Sequence, residues 1–171
     1  MKQMKSIDVQ TRFQGLVDDH RKILFKIGCA YGRNHADRED LAQEMILQLW
    51  RSFARFDGRC RFSTWMYRIC LNVAISHSRR ERTRARHVCS AGDHLLEGVE
   101  ELDRPSDATQ QLTEFIQSLD PLNRALLLLY LDGNSYRDIA EVLGISETNV
   151  ATKLSRLKNR MKHELVLVAD D

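Results

Sequence analysis

Between Arg51 and Arg86 the chain sets ten arginines against two acids, Asp57 and Glu81, a local charge of +8. Arginine forks bind phosphate, and aromatic planes accept unpaired bases. Within this segment Trp65, Arg68, Asn72, Ser76 and Arg79 recur at helical spacing, so one helix face would combine an aromatic plane with hydrogen-bonding and cationic groups. That mixture suits single-stranded nucleic acid. The plainer reading is a tryptophan at the margin of a core, flanked by ordinary surface residues. Five arginines at 79, 80, 82, 84 and 86, opposed only by Glu81, favour the first.

The rest of the charge is segmented as well. From Asp93 to Glu114 seven acids face one base, Arg104, and from Ser146 to His163 the balance returns to +4, although the whole chain of 171 residues carries only +2. The acidic middle also holds Gly92, Gly98 and Pro105 and shows no sustained helical period, so it reads as a flexible linker between two small domains. Prolines number two and glycines eight, and β-branched alternation is nearly absent, which makes the expected fold class all-α. With 43% hydrophobic and 29% charged residues the chain has the balance of a globular protein. No run of about 18 apolar residues offers a membrane span, and the first residues lack a signal peptide's apolar stretch, so a cytoplasmic location without membrane insertion is expected. Cys29, Cys60, Cys70 and Cys89 form no CxxC pair, and His20, His77, His87 and His163 do not cluster, so neither disulfides, metal nor cofactor is expected. No paired carboxylates, nucleophile with base, or phosphate-cradling glycine loop is present, and an enzyme is not expected.

These groups need helices to hold them. Phe13, Leu16, Val17, Ile23, Leu24, Ile27 and Cys29 repeat at near-helical spacing up to a stop at Gly32. From Asp37 to Phe53, acids in the first turn precede Leu41, Met45, Ile46, Leu49, Trp50 and Phe53, expected as one buried face, with Glu39, Asp40, Gln43, Glu44 and Leu47 on the other side. Spacing alone makes that second side a solvated surface. Asp57-Gly58 suits a turn, Ser63 or Thr64 can cap the next helix, and Met66, Ile69, Cys70, Val73 and His77 form its expected core stripe. Beyond the linker, Leu112, Phe115, Ile116 and Leu119 have helical spacing. Asp120 and Pro121 open an apolar helix that ends at Gly133. Then Ser135 with Asp138 reads as a capping box, Ala140 as a small residue at a crossing, Gly144 as a turn and Ser146 as a cap, with Val150 and Leu154 packing the last helix back. That is a helix-turn-helix, and its second helix bears Lys153, Arg156, Lys158 and Arg160. A helical hairpin that binds no DNA is the plainer alternative.

The blocks "DREDLAQEMILQLWRSFARFDGRCRFSTWMYRICLNVAISHSRR" and "DPLNRALLLLYLDGNSYRDIAEVLGISETNVATKLSRLKNRMK", in that order, resemble a bacterial RNA polymerase sigma factor of the sigma-70 family, extracytoplasmic-function (group IV) subfamily. The resemblance implies a region 2 over residues 10–86, a linker over 87–106 and a region 4 over 107–166. It implies that Glu39, Asp40, Gln43, Glu44 and Leu47 bind core polymerase. The loop from Arg55 to Phe62 would accept a flipped base of the minus-10 element, so Phe56, Asp57, Arg59, Arg61 and Phe62 join Trp65, Arg68, Asn72, Ser76, Arg79 and Arg80 as minus-10 residues. Thr148, Asn149, Thr152, Lys153, Arg156, Lys158 and Arg160 would read the minus-35 element from the major groove. The implied partners are core RNA polymerase, through its β′ coiled coil and β flap, promoter DNA, and an anti-sigma factor. Relatives often carry Asp where Ser76 stands and Lys or Arg where Ala151 stands. The first bears on minus-10 recognition, and the second removes an expected DNA contact. An autonomous helix-turn-helix transcription regulator is the alternative; it would leave the first basic domain and the acidic docking side unused.

Overall fold

The computed structural model describes residues 2–88 and 107–166, with side chains described for 8–83 and 110–164. The described residues form eight helices: α1 (Lys2–Asp19), α2 (Arg21–Tyr31), α3 (His35–Phe53), α4 (Phe62–Val88), α5 (Asp107–Ser118), α6 (Pro121–Leu131), α7 (Tyr136–Leu143) and α8 (Glu147–Val166). Among them there is no strand, in line with the all-α expectation, and no helix is long and apolar enough to cross a membrane. The expected acidic linker, with Gly92, Gly98 and Pro105, lies outside the described residues.

In the first half, α2, α3 and α4 surround a core of Ile23, Ile27, Leu41, Met45, Leu49, Met66, Cys70, Leu71 and Ala74, which α1 closes with Phe13 and Val17. Local chemistry sets the ends of these helices. The Asn34 side chain accepts from Asp37 N–H at 2.8 Å, satisfying one of the free amides at the start of α3. At Gly32 an added Cβ would sit 2.5 Å from Arg38 Cγ and 2.9 Å from the Gly28 carbonyl, so only glycine lets α2 turn into α3 this closely. Gly58, at φ 75°, makes the Asp57-Gly58 turn that reverses the chain into α4.

Three expectations need correction here. The first apolar block is not one helix: it breaks at His20, where φ −114° and ψ 13° separate α1 from α2. Helix α4 starts at Phe62, so Ser63 and Thr64 lie inside its first turn; the first bond runs from Trp65 N–H to the Arg61 carbonyl at 3.1 Å. Ile46 and Trp50 are not buried with Leu41, Met45, Leu49 and Phe53. A helix turning 100° per residue swings i+5 and i+9 well off a face defined by i, i+4 and i+8, and both stay exposed.

In the second half, α6 is the central helix, with Ala125, Leu126, Leu127 and Leu129 buried against Phe115, Leu119, Ile139, Val142, Val150, Leu154 and Leu157. The Asp120 carboxylate accepts from Leu122 N–H and Asn123 N–H, with Pro121 at the first helical position. Ser135 accepts from Asp138 N–H at 3.1 Å to start α7, and Gly144, at φ 68°, ends it. Ser146 accepts from Asn149 N–H at 3.2 Å and starts α8. Val150 and Leu154 are fully buried, as the helix-turn-helix reading requires. The two halves touch through α2 and α4 on one side and α5, α6 and α7 on the other.

Candidate nucleic-acid interface

Helix α4 carries the aromatic and basic stripe. Asn72, Ser76 and Arg79 are exposed along one side, with Arg68 half-exposed and Arg61 continuing the line just before the helix. Trp65 is half-buried in an aromatic cluster, its ring 5.1 Å from Phe56, 5.4 Å from Phe62 and 6.3 Å from Phe53. Tilted and edge-on rings at these separations attract one another, so the cluster holds the indole in a fixed attitude at the head of the stripe. Phe62 is 8% exposed and therefore supports the tryptophan from below instead of offering a plane of its own. Asp57 braces the turn: it accepts from Arg59 N–H at 3.1 Å and pairs with Arg59 Nε at 3.0 Å, leaving an anion among the cations of this loop. Arg80 leaves the stripe altogether. It turns toward α3 and donates to both carboxylate oxygens of Glu44, at 2.9 and 3.0 Å.

On α3, Glu39, Asp40, Gln43 and Leu47 face outward, and Glu44 is half-covered by Arg80. Exposed Ile46, Leu47 and Trp50 lie on the same side, at 40%, 45% and 43% exposure. Together with Gln10, Phe13, Gln14 and Val17 of α1 they line a groove of about 650 Å³. The sequence reading missed Ile46 and Trp50 here because it spent every apolar residue of α3 on the core. The opposite edge of α3 is tied to α4. Asp37 accepts from Arg33 N–H at 3.0 Å and faces His77 Nε2 at 3.2 Å. Burial pushes the Asp37 carboxyl up, but the hydrogen bonds from Arg33 and the neighbouring His77 outweigh it and hold the group below the usual carboxylate range.

On α8, Thr148, Asn149, Thr152 and Arg156 are exposed on the side opposite Val150, Leu154 and Leu157. Lys153 flanks them, half-buried, and Arg160 is exposed on the same flank, pairing with Glu164 at 2.6 Å. Lys158 is separated from this set. Its ammonium sits 4.2 Å over the Tyr130 ring, and contact with the Tyr130 hydroxyl raises its pKa, so it braces α8 against α6 on the far flank. Ala151 is half-buried and Ser76 exposed, so a longer side chain would be accommodated more readily at 76 than at 151. Among the described residues no group of His, Cys, Asp or Glu is placed to hold a metal ion.

A helical protein with one basic aromatic face for unpaired bases and a helix-turn-helix for duplex DNA is a two-part DNA-binding protein of transcription. The Sigma-70 region 2 family matches residues 16–84, and the Sigma-70 region 4 family matches residues 109–161. The RNA polymerase sigma-H factor of Pseudomonas aeruginosa is 30% identical over 141 residues, covering 75% of this chain and 73% of that protein. The ECF RNA polymerase sigma factor SigW of Bacillus subtilis is 27% identical over 186 residues, covering 96% and 94%. The fold is that of the sigma factor RpoE from Bartonella quintana, solved in complex with the anti-sigma factor NepR, at a TM-score of 0.71 and 19% identity over 92% of this chain and 96% of that one. The chain belongs to the sigma-70 family, in its extracytoplasmic-function subfamily, and is a sigma factor of transcription initiation, not an autonomous helix-turn-helix regulator.

Proposed function

We propose that the chain acts in the cytoplasm, docks on core RNA polymerase through the outward side of α3, opens promoter DNA with the α4 stripe and reads the minus-35 element with α8. The observation that carries this reading is the composition of the α3 surface. Exposed Ile46, Leu47 and Trp50 lie beside Glu39, Asp40 and Gln43, and an apolar strip rimmed by acids is a surface for a partner with a basic rim. The β′ coiled coil fills that place for the family. Single-strand binding then follows from Trp65 and Phe56 as stacking planes, with Arg61, Arg68 and Arg79 on phosphates and Asn72 on a base edge. Flipping a base out of the duplex costs about a few kcal/mol, which the docked polymerase would help to meet, so the isolated chain melts no promoter. In region 4, Thr148, Asn149, Thr152, Lys153 and Arg156 face the groove, with Arg160 on phosphate at their flank. An anti-sigma factor competing for the α3 and α8 surfaces is the expected regulator, as in the complex of the Bartonella relative.

The test is docking. Asp40→Arg and Glu44→Lys each place a repelling charge on the α3 surface and should abolish holoenzyme formation on native gels with purified core, with helicity by circular dichroism unchanged. Normal holoenzyme formation by both would overturn the assignment of that surface.

A further inference from the structure

The basic stripe of α4 is partly occupied, and the occupant is the other half of the same chain. Arg61 Nη2 donates to Asp138 Oδ2 at 3.0 Å, and Arg68 Nη2 donates to the Glu141 carbonyl at 3.0 Å and to its carboxylate at 3.2 Å. Both acceptors lie on α7, the first helix of the helix-turn-helix. One turn before it, Asp132 accepts from the Tyr67 hydroxyl and pairs with Lys26, joining α6 to α4 and α2. Two buried links stand behind this polar front. The Tyr31 hydroxyl donates to the Pro121 carbonyl at 2.6 Å, and Arg124 donates to the Ala30 carbonyl at 2.9 Å while its guanidinium lies 5.0 Å over the Tyr31 ring. Arg124 also donates to the Ile116 and Leu119 carbonyls, so it is anchored in region 4 and reaches into region 2 from there.

We propose that the free chain clasps itself shut, with the carboxylates of α7 standing where DNA phosphates would sit on Arg61 and Arg68, so that region 4 competes internally with single-stranded DNA for the α4 stripe. The proposal rests on the reading of that stripe as a DNA face. Its geometry is that of a competitor and not of a permanent core. The front consists of exposed or half-exposed ion pairs, which salt weakens and a polyanion can displace. Ser135 donates to the same Asp138 oxygen that Arg61 approaches, at 2.7 Å, and that bond together with the nearby guanidinium holds the carboxyl below its ordinary range, so it stays an anion facing Arg61. Asn72, Ser76 and Arg79, farther along α4, and the outward side of α8 stay exposed, which leaves an incoming strand a place to begin. Opening the clasp frees Arg61, Arg68 and Tyr67 together.

Two double variants test this without touching the DNA-binding residues. Tyr31→Phe with Tyr67→Phe removes two cross-links at unchanged charge, and Asp138→Asn with Glu141→Gln removes the phosphate mimics. A control with matched charge change, Asp8→Asn with Glu114→Gln, lies away from the clasp. Small-angle scattering and the affinity for fluorescein-labelled oligo(dT) are measured on the full chain. Both test variants should expand relative to the wild type and bind oligo(dT) several-fold more tightly than the control does, and added salt should expand the wild type. Unchanged radii of gyration, or expansion with no gain over the control in a chain that binds oligo(dT), would overturn the clasp as a competitor. Expansion with no oligo(dT) binding by any variant would refute the DNA reading of α4, and the competition with it, while holoenzyme formation on native gels would still report on the docking surface separately.

Discussion

The two DNA-facing helices are built to different plans. On α8 the outward residues Thr148, Asn149, Thr152 and Arg156 rest on a helix whose inner side is sealed by Val150, Leu154 and Leu157, so the reading surface and the core share no residue. On α4 they overlap: Trp65 belongs to the stripe and also to the cluster of Phe53, Phe56 and Phe62. The difference matches the two substrates. A recognition helix for duplex DNA needs only an exposed edge in a groove, whereas a surface for flipped bases needs an apolar plane, and an apolar plane must be steadied by a core when no base covers it.

The largest effect should come from the overlap. Trp65→Ala leaves a gap in the aromatic cluster and should lower stability by about 2 kcal/mol, below the usual range for a fully buried aromatic because the indole is half-exposed. It should also impair strand opening by roughly 1–3 kcal/mol of lost stacking. Thermal melts and permanganate footprints measure the two separately, and Trp65→Phe should recover most of the first and only part of the second. A variant with normal footprints and reduced duplex binding would mean that the ring serves the core alone. Next is Arg156→Ala, which lies on α8 away from the core: discrimination at one or two minus-35 positions should fall by about 1–3 kcal/mol for a bidentate contact, with no change in melting temperature. Equal weakening across all sequences would move Arg156 to the phosphates. Ser146→Ala removes the cap of α8 and should cost about 1 kcal/mol in stability, visible in urea titration, with base preference unaltered. The smallest effect is expected at Lys158. Its position over Tyr130 gives Lys158→Ala a melting temperature reduced by a degree or so and an unchanged slope of affinity against salt. A flattened salt slope would return Lys158 to the DNA contacts that its charge alone suggests.

Much of this architecture is legible in the sequence because its punctuation is strong. Asp120-Pro121, Ser135, Gly144 and Ser146 start or stop helices through their own side chains or backbone freedom, and each acts within one turn. Long-range choices were harder to read. The period of α3 does not say whether Ile46 and Trp50 face a core or a partner, since both are apolar and both sit near the border of the buried stripe. Nor does charge reveal direction: Arg80 reads as a DNA residue until Glu44, 36 positions earlier, is found across from it. Lys158 and Lys153 look alike in the sequence and lie on opposite flanks of α8. The contacts of Asp132, Asp138, Glu141 and Arg124 with the first half had no sequence signal, because they span 65 to 106 residues and use polar groups that suit a solvated surface equally well.

The division of labour between α4 and α8 has a direct measurement: run-off transcription by core polymerase charged with this protein, from templates randomised at both the minus-10 and minus-35 elements. Initiation should depend on the added protein, Asn72→Ala should change the accepted minus-10 sequences only, and Lys153→Ala should change the accepted minus-35 sequences only. Altered minus-10 preference in the Lys153 variant, altered minus-35 preference in the Asn72 variant, or initiation indifferent to the protein would contradict the account.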